Sequence, residues 1–375
     1  MIRYCTRCVM PDTKPDLTFD AEGVCSACRN YTERTNVGWD HRRQQLVDLL
    51  DRYRNPNGYD CIVPVSGGKD STYQVLRMLE LGANPLCVTA TTDKPTAIGL
   101  RNIENLKSLG VDYIEVTVNP VLRRTINRLA LERVGDISWP EHVTIFTIPV
   151  RLAVALGIRL IVWGENPQDE YGGDYRGHTL DRAWLERHGG LLGLSVADLA
   201  LDPRQIVQYT YPSDDELTAA GVTGIFLGYF LPWDGYGNAL YSQAHGFETY
   251  SRPVEGSLVN YENLDNGQTG IHDYFKWLKY GFGRATDLAC SHIRRGRLRR
   301  DEAIGLVRRH DGLFPWSYVG VPLADVLEDM DMSLDEFVAI CDRWTNRDIF
   351  KSDGDNRLVK DRHGNLTKRN YPVTP

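Results

Sequence analysis

The stretch that most narrows the fold is residues 59–81, where an apolar run breaks into a glycine turn and resumes as a helix. Tyr59-Asp60-Cys61-Ile62-Val63-Pro64-Val65 reads as a buried strand. Ser66-Gly67-Gly68-Lys69-Asp70-Ser71 follows, and the spacing over 71–81 predicts a helix stopped by Gly82. The alternation recurs downstream. Strands are expected over 85–91, 112–118 and 158–163, and helices over 41–54, 120–134 and 144–156, with a helix end at 102–109. Strands alternating with helices imply parallel pairing, hence an α/β, doubly wound, mostly parallel sheet that binds ligands at its strands' carboxyl ends.

The hexapeptide carries the chemistry. Two glycines let the backbone approach an anion, and the free amides of the turn and of the following helix then face it. Ser66 and Ser71 offer hydroxyls, Lys69 a mobile positive charge, and Asp70 a carboxylate able to hold a magnesium ion bridging phosphates. Asp70 stands where a Walker loop needs Ser or Thr, so this is a different phosphate loop.

Four of the eight cysteines are paired in sequence: Cys5 with Cys8, and Cys25 with Cys28 sixteen residues later. Two such knuckles aim four thiolates at one point, the spacing of a closed, structural zinc site. Cys61 and Cys87 lie in strand-like runs and are expected in the core. Residues 168–270 are rich in Gly, Tyr, Trp and Asp with little period, which suggests substrate-binding loops; their one clear apolar run is 225–231. Helical patterning returns from residue 271, and the polar tail after Asp353 is expected to fray. The division expected is a zinc unit over 1–40, a phosphate-loop α/β domain over 41–235, and substrate loops with a helical region over 236–375. Lys plus Arg number 43 against 50 Asp plus Glu, a net charge of −7, which speaks against a nucleic-acid partner. No apolar run is long enough to span a membrane and the first residues carry no apolar signal core, so a cytoplasmic protein is expected.

The hexapeptide closely resembles the signature of the PP-loop ATP pyrophosphatases, whose loop holds the pyrophosphate part of ATP while the α-phosphorus is attacked. Gly164-Glu165-Asn166-Pro167-Gln168-Asp169-Glu170 resembles the superfamily's second loop, which points to Glu165 and Asp169 near the metal or acceptor. Taken with the cysteine unit, Phe230-Leu231-Pro232-Trp233-Asp234 and the late stretch from Ile271 to Asp287, the chain resembles the N-acetyl sugar amidotransferases of WbpG type in lipopolysaccharide O-antigen biosynthesis.

That resemblance implies an enzyme using ATP, Mg²⁺ and a structural Zn²⁺ to turn the acetamido group of a UDP-N-acetyl sugar into an acetamidino group. Lys69, Asp70, Lys279 and Arg284 are the expected catalytic cations and carboxylate, and Gly281-Phe282-Gly283 a flexible joint between the last two. It also implies a glutaminase partner, with a cyclase-like barrel subunit, supplying ammonia in trans. The run Arg294-Arg295-Gly296-Arg297-Leu298-Arg299-Arg300 reads as a solvated face with no assigned role. The rival reading is a PP-loop tRNA sulfurtransferase, which requires a basic surface and catalytic cysteines near the loop, with only Cys61 and Cys87 available.

Overall fold

A computed structural model describes residues 2–174, 176–182, 184–185, 194–199 and 201–373. The chain opens with the cysteine unit, whose second knuckle runs into helix α1 (Ser26–Arg34). Helix α2 (Trp39–Tyr53) leads to the sheet, which is built from β1 (Cys61–Pro64), β2 (Pro85–Ala90), β3 (Asp112–Val116), β4 (Leu160–Trp163), β5 (Thr179–Leu180) and β6 (Thr223–Phe226). The strand order is β3-β2-β1-β4-β6-β5. All pairings are parallel except that of the short β5 with β6. Helices α3 (Lys69–Glu80), α4 (Ala97–Lys107), α5 (Pro120–Arg133) and α6 (Trp139–Leu156) make the crossovers.

Strand residues alternate between two cores, as a pleated strand requires. Ile62, Leu86, Val88, Ile161 and Phe226 face α5 and α6. Cys61, Val63, Cys87, Leu160, Val162 and Ile225 face the opposite way, against α2, α3 and α4. With both faces covered, each buried Val, Leu or Ile contributes roughly 1.5–3 kcal/mol, which is why these strands read as continuous apolar runs. Cys61 and Cys87 are core residues, as expected.

Three elements differ from the sequence reading. The run at 225–231, expected within substrate loops, begins as β6, an interior strand paired with β4. Four residues are too few to show a period. The joint Gly281-Phe282-Gly283 is packed rather than flexible. Gly281, at φ +72°, caps the helix that ends at Tyr280, with Ile349 against it, and Phe282 is 4% exposed. The described part of the tail is tied down: Phe350 bridges to Lys368, and the Lys368 ammonium donates to the carbonyl of Gly281 and to the Tyr4 hydroxyl.

Beyond the sheet, helix α8 (Gly235–Gln243) packs on α3, just past the boundary expected at 235; α7 (Pro167–Tyr171) is the short helix after β4. Helices α9 (Thr269–Tyr280), α10 (Arg284–Arg294), α11 (Arg300–His310) and α12 (Leu334–Trp344) form the C-terminal region. The cysteine unit seats on this region: Cys5, Cys8, Cys25 and Cys28 share a core with Phe282, Ala289, Ile304 and Val307. The Arg300 guanidinium donates to the carbonyls of Cys5 and Cys8. Among the described residues, no helix is long and apolar enough to cross a membrane.

Candidate active site

The turn after β1 meets the first turn of α3. Gly67 takes φ +81°, and a Cβ there would stand 2.9 Å from both the Gly99 carbonyl oxygen and Ile103. Only glycine accepts that backbone and that space. Gly68 is the N-cap of α3, so the first amides of the helix lack partners within it. The Ser71 hydroxyl donates to the Gly68 carbonyl (3.0 Å) and accepts from the Ser66 amide (3.4 Å), which ties the turn shut.

Lys69, expected to be mobile, is fixed. Its side chain is 5% exposed, and Nζ stands 2.5 Å from Asp70 Oδ2 and 2.7 Å from Glu262 Oε1. Burial alone would lower the pKa of this ammonium, but the two carboxylates override it and keep the group charged. Helix α8 clamps the arrangement from above. Asn238 donates to Asp70 Oδ1 (2.9 Å) and Ser242 donates to the Lys69 carbonyl (2.8 Å).

Two cavities meet at this loop. The first, about 300 Å³, lies at the carboxyl ends of β1, β2 and β4. Its wall is Ser66, Asp70 and Ser71 on one side and Val88, Ile145, Phe146, Trp163 and Phe226 on the other, with Glu165 and Asp265 at the rim. The second, about 140 Å³, is charged and lined by Lys69, Asp70, Glu165, Glu170, Tyr261, Glu262, Arg284 and Asp287. Asp70 and Glu165 belong to both, so the loop divides an apolar chamber from a charged one. Burial, with the Asp70 charge beside it, lifts the Glu165 carboxyl to about 7. Burial also raises Asp265.

The remaining expected residues separate into two groups. Arg284 lines the charged cavity, held in a two-pronged bond by Asp273 at 3.0 and 3.1 Å. Lys279 lies elsewhere, its ammonium 5.8 and 6.0 Å from the rings of Tyr280 and Trp344. The reason is the left-handed cap at Gly281: it ends α9 with Lys279 against α12 and starts α10 with Arg284 toward the loop. Asp169 also lies off both cavities, 3.5 Å from Arg34. Its neighbour Glu170 points inward instead, accepting from Arg34 (2.9 Å) and Arg295 (2.8 Å). The arginine run at 294–300, read as a solvated face, turns partly inward; the Arg295 side chain is 7% exposed.

Asn238, Glu262 and Asp265 were missed by the sequence reading. No local pattern marks them, because each comes from an irregular loop or short helix brought to α3 by tertiary packing. Cys61 and Cys87 line neither cavity, and burial raises the Cys87 thiol to about 12.

The four-cysteine unit is a second centre. The four sulfurs lie within 4.8 Å of one another, with Cys5 and Cys28 at 4.0 Å and Cys8 and Cys25 at 3.7 Å. Zn–S bonds of about 2.3 Å put tetrahedral sulfurs about 3.8 Å apart, so this set fits a zinc ion. The amides of Cys8 and Cys25 donate to Cys5 Sγ at 3.4 and 3.3 Å, as thiolate ligands require. All four side chains are buried, which leaves no open coordination position.

Residues 246–362 match the family described as "LPS biosynthesis protein WbpG-like, C-terminal domain". No curated protein matches the chain. Among solved structures, it is similar to the NMN synthetase from Francisella tularensis at 10% identity and a TM-score of 0.29, over 50% of this chain and 94% of that one. It is also similar to the NH3-dependent NAD synthetase from Campylobacter jejuni subsp. jejuni NCTC 11168 in complex with the nitrate ion, at 14% identity and a TM-score of 0.29, over 56% of this chain and 97% of that one. The segment that brings Tyr261, Glu262, Arg284 and Asp287 to the charged cavity lies within the residues that match this family.

Proposed function

We propose that the chain is an ATP-dependent amidotransferase that converts the acetamido group of a nucleotide-linked N-acetyl sugar into an acetamidino group. One observation carries this reading: the charged cavity is walled on one side by the phosphate loop and on the other by the WbpG-like segment. A phosphate-activating loop is thereby joined to the part of the chain that resembles LPS-biosynthesis proteins.

The apolar chamber suits adenosine, with the triphosphate running back over the amides of Ser66, Gly67, Gly68, Lys69 and Ser71. An amide oxygen is a poor leaving group. Its attack on the α-phosphorus forms a C–O–P link and expels pyrophosphate, which makes the oxygen part of an adenylate. Ammonia then adds to the carbon, loses a proton, and AMP leaves with the former carbonyl oxygen. Lys69 and Arg284 stabilise the charge spread over the phosphates. Glu165, ionising near neutrality, stands where it can take the proton that the adding nitrogen gives up. Asp70 would hold a magnesium ion, which would supply further neutralisation of phosphate charge.

Ammonia is delivered in this reading by a separate glutaminase with its cyclase-like barrel. The tRNA-thiolation alternative needs a thiol at the loop; among the described residues, no cysteine lines either cavity.

The test is incubation with ATP, Mg²⁺, ammonium at alkaline pH and a panel of UDP-N-acetyl sugars. AMP release together with the mass of an acetamidino sugar is the expected result. ADP as the nucleotide product, or turnover with tRNA and with no sugar, would sink the proposal.

A further inference from the structure

A third cavity, about 410 Å³, lies between the cysteine unit and the phosphate-loop domain and takes no part in the chemistry above. Its lining holds three guanidiniums, those of Arg34, Arg295 and Arg297, against one carboxylate, Asp234. It also holds the rings of Tyr31, Trp39 and Trp233. From these residues we infer that this cavity binds the diphosphate and base of a nucleoside-diphosphate-linked substrate.

The charge arrangement is the first argument. Arg297 grips Asp234 in a two-pronged bond at 2.6 and 2.7 Å, the geometry that a guanidinium also offers a phosphate. Arg295 reaches the same carboxylate at 3.1 Å and Glu170 at 2.8 Å. Arg34 is shared between Glu170 and Asp169. Asp234 therefore serves two guanidiniums and is 31% exposed, whereas Arg34 is held by Glu170 and Asp169, so an entering diphosphate competes with Asp234 for Arg295 and Arg297.

The aromatic lining is the second argument. The Arg34 and Arg42 guanidiniums each lie 5.7 Å from the Trp39 ring centre, and that of Arg295 lies 5.2 Å from Tyr31. Flat rings beside cations are the combination that stacks a base while gripping its phosphates. The volume is within the range of small-ligand sites, roughly 300–1,000 Å³.

Continuity is the third. Trp233 and Arg297 line both this cavity and the charged one that contains Lys69 and Asp70. A sugar attached to a diphosphate seated here extends toward the phosphate loop from the side opposite the apolar chamber. ATP and the second nucleotide then occupy different ends of one continuous cleft. This inference rests on the proposed function for its ligand class, since only a nucleotide-linked sugar needs a second nucleotide subsite.

The experiment titrates the full-length protein with UDP, and separately with inorganic pyrophosphate, by calorimetry, in the presence of a saturating non-hydrolysable ATP analogue. UDP is expected to bind without displacing the analogue, and more tightly than pyrophosphate. Arg297→Ala should weaken UDP roughly tenfold or more, as loss of a charged hydrogen-bonding partner does. Arg297→Lys should restore part of that loss, and Trp39→Ala should weaken UDP but not pyrophosphate. An unchanged zinc content and far-UV circular dichroism spectrum report that each variant is folded. No UDP binding, displacement of one nucleotide by the other, or UDP affinity indifferent to both Arg297 and Trp39 would overturn the inference. Amidination of an N-acetyl sugar in that event would leave the proposed function standing. Arg297-dependent UDP binding without turnover of any sugar would instead count against the function alone.

Discussion

The cysteine unit and the phosphate loop are both turns that gather polar groups at a point, and they are completed in opposite ways. The cysteine unit draws all its ligands from 24 consecutive residues and buries them. The phosphate loop contributes only backbone amides, two hydroxyls, a lysine and a carboxylate. Asn238 and Ser242 hold it from α8, Glu262 fixes its lysine, and Glu165 shares both of its cavities. A structural site needs closure and gains it locally. A reactive site needs access from several sides, so its wall must come from several parts of the chain.

The largest effect should come from the closed site. Cys8→Ser, or removal of metal by chelation, should lower the melting temperature more than any change at the loop, because metal binding at such sites is worth about 10 kcal/mol at neutral pH and is linked to folding. Metal analysis of the purified protein should find one zinc per chain; a metal-free protein with unchanged melting would erase the distinction drawn here.

Gly67→Ala tests the open site. A left-handed backbone costs a residue with a side chain about 1–2 kcal/mol. The new methyl would also press on the Gly99 carbonyl. Binding of the ATP analogue should fall steeply while the zinc content stays the same. If both were lost together, the two sites would be one cooperative unit.

Glu165 gives the open site a pH signature of its own. Its folded pKa, about 7, lies above the ordinary glutamate value of 4.5, so the folded state holds the proton more tightly than the unfolded chain. Stability therefore declines as pH rises from about 4.5 through 7, by roughly 3 kcal/mol. Glu165→Gln should remove that slope, read from denaturant midpoints between pH 5 and 8 as rough limits of the window. A slope that survives the substitution would place the titration elsewhere.

The smallest contrast lies within the late basic stretch. Arg284→Lys keeps the charge but loses the fork held by Asp273, and should depress turnover about tenfold with little change in nucleotide affinity. Lys279→Ala, off the cavity, should lower turnover less. Equal losses would return Lys279 to the reacting groups.

Much of the fold was legible because its signals are local. The strands 61–64, 85–90, 112–116 and 160–163 fall within the runs that periodicity marks, and their helices end near the glycines that stop them. The four-cysteine cluster was legible for the same reason: spacing within a knuckle fixes sulfur geometry without help from the rest of the chain. Strand β6 was not, since four residues carry too little pattern and its place beside β4 is a matter of pairing.

At the candidate site, the sequence by itself determined the identity of the loop, the need for glycine at 67 and the presence of the cationic stretch near its end. Tertiary structure decided which of those groups meet. Glu170 rather than Asp169 reaches the cavity because neighbouring residues of the short α7 point in different directions. Arg284 rather than Lys279 does so because a left-handed glycine redirects the chain between them. Glu262 and Asn238 reach Lys69 and Asp70 only because α8 and the loop before α9 fold back over α3. Short-range geometry is written in the order of residues, whereas the partners of a buried charge are set by whatever the packed chain brings within a few ångströms of it, which no local pattern records.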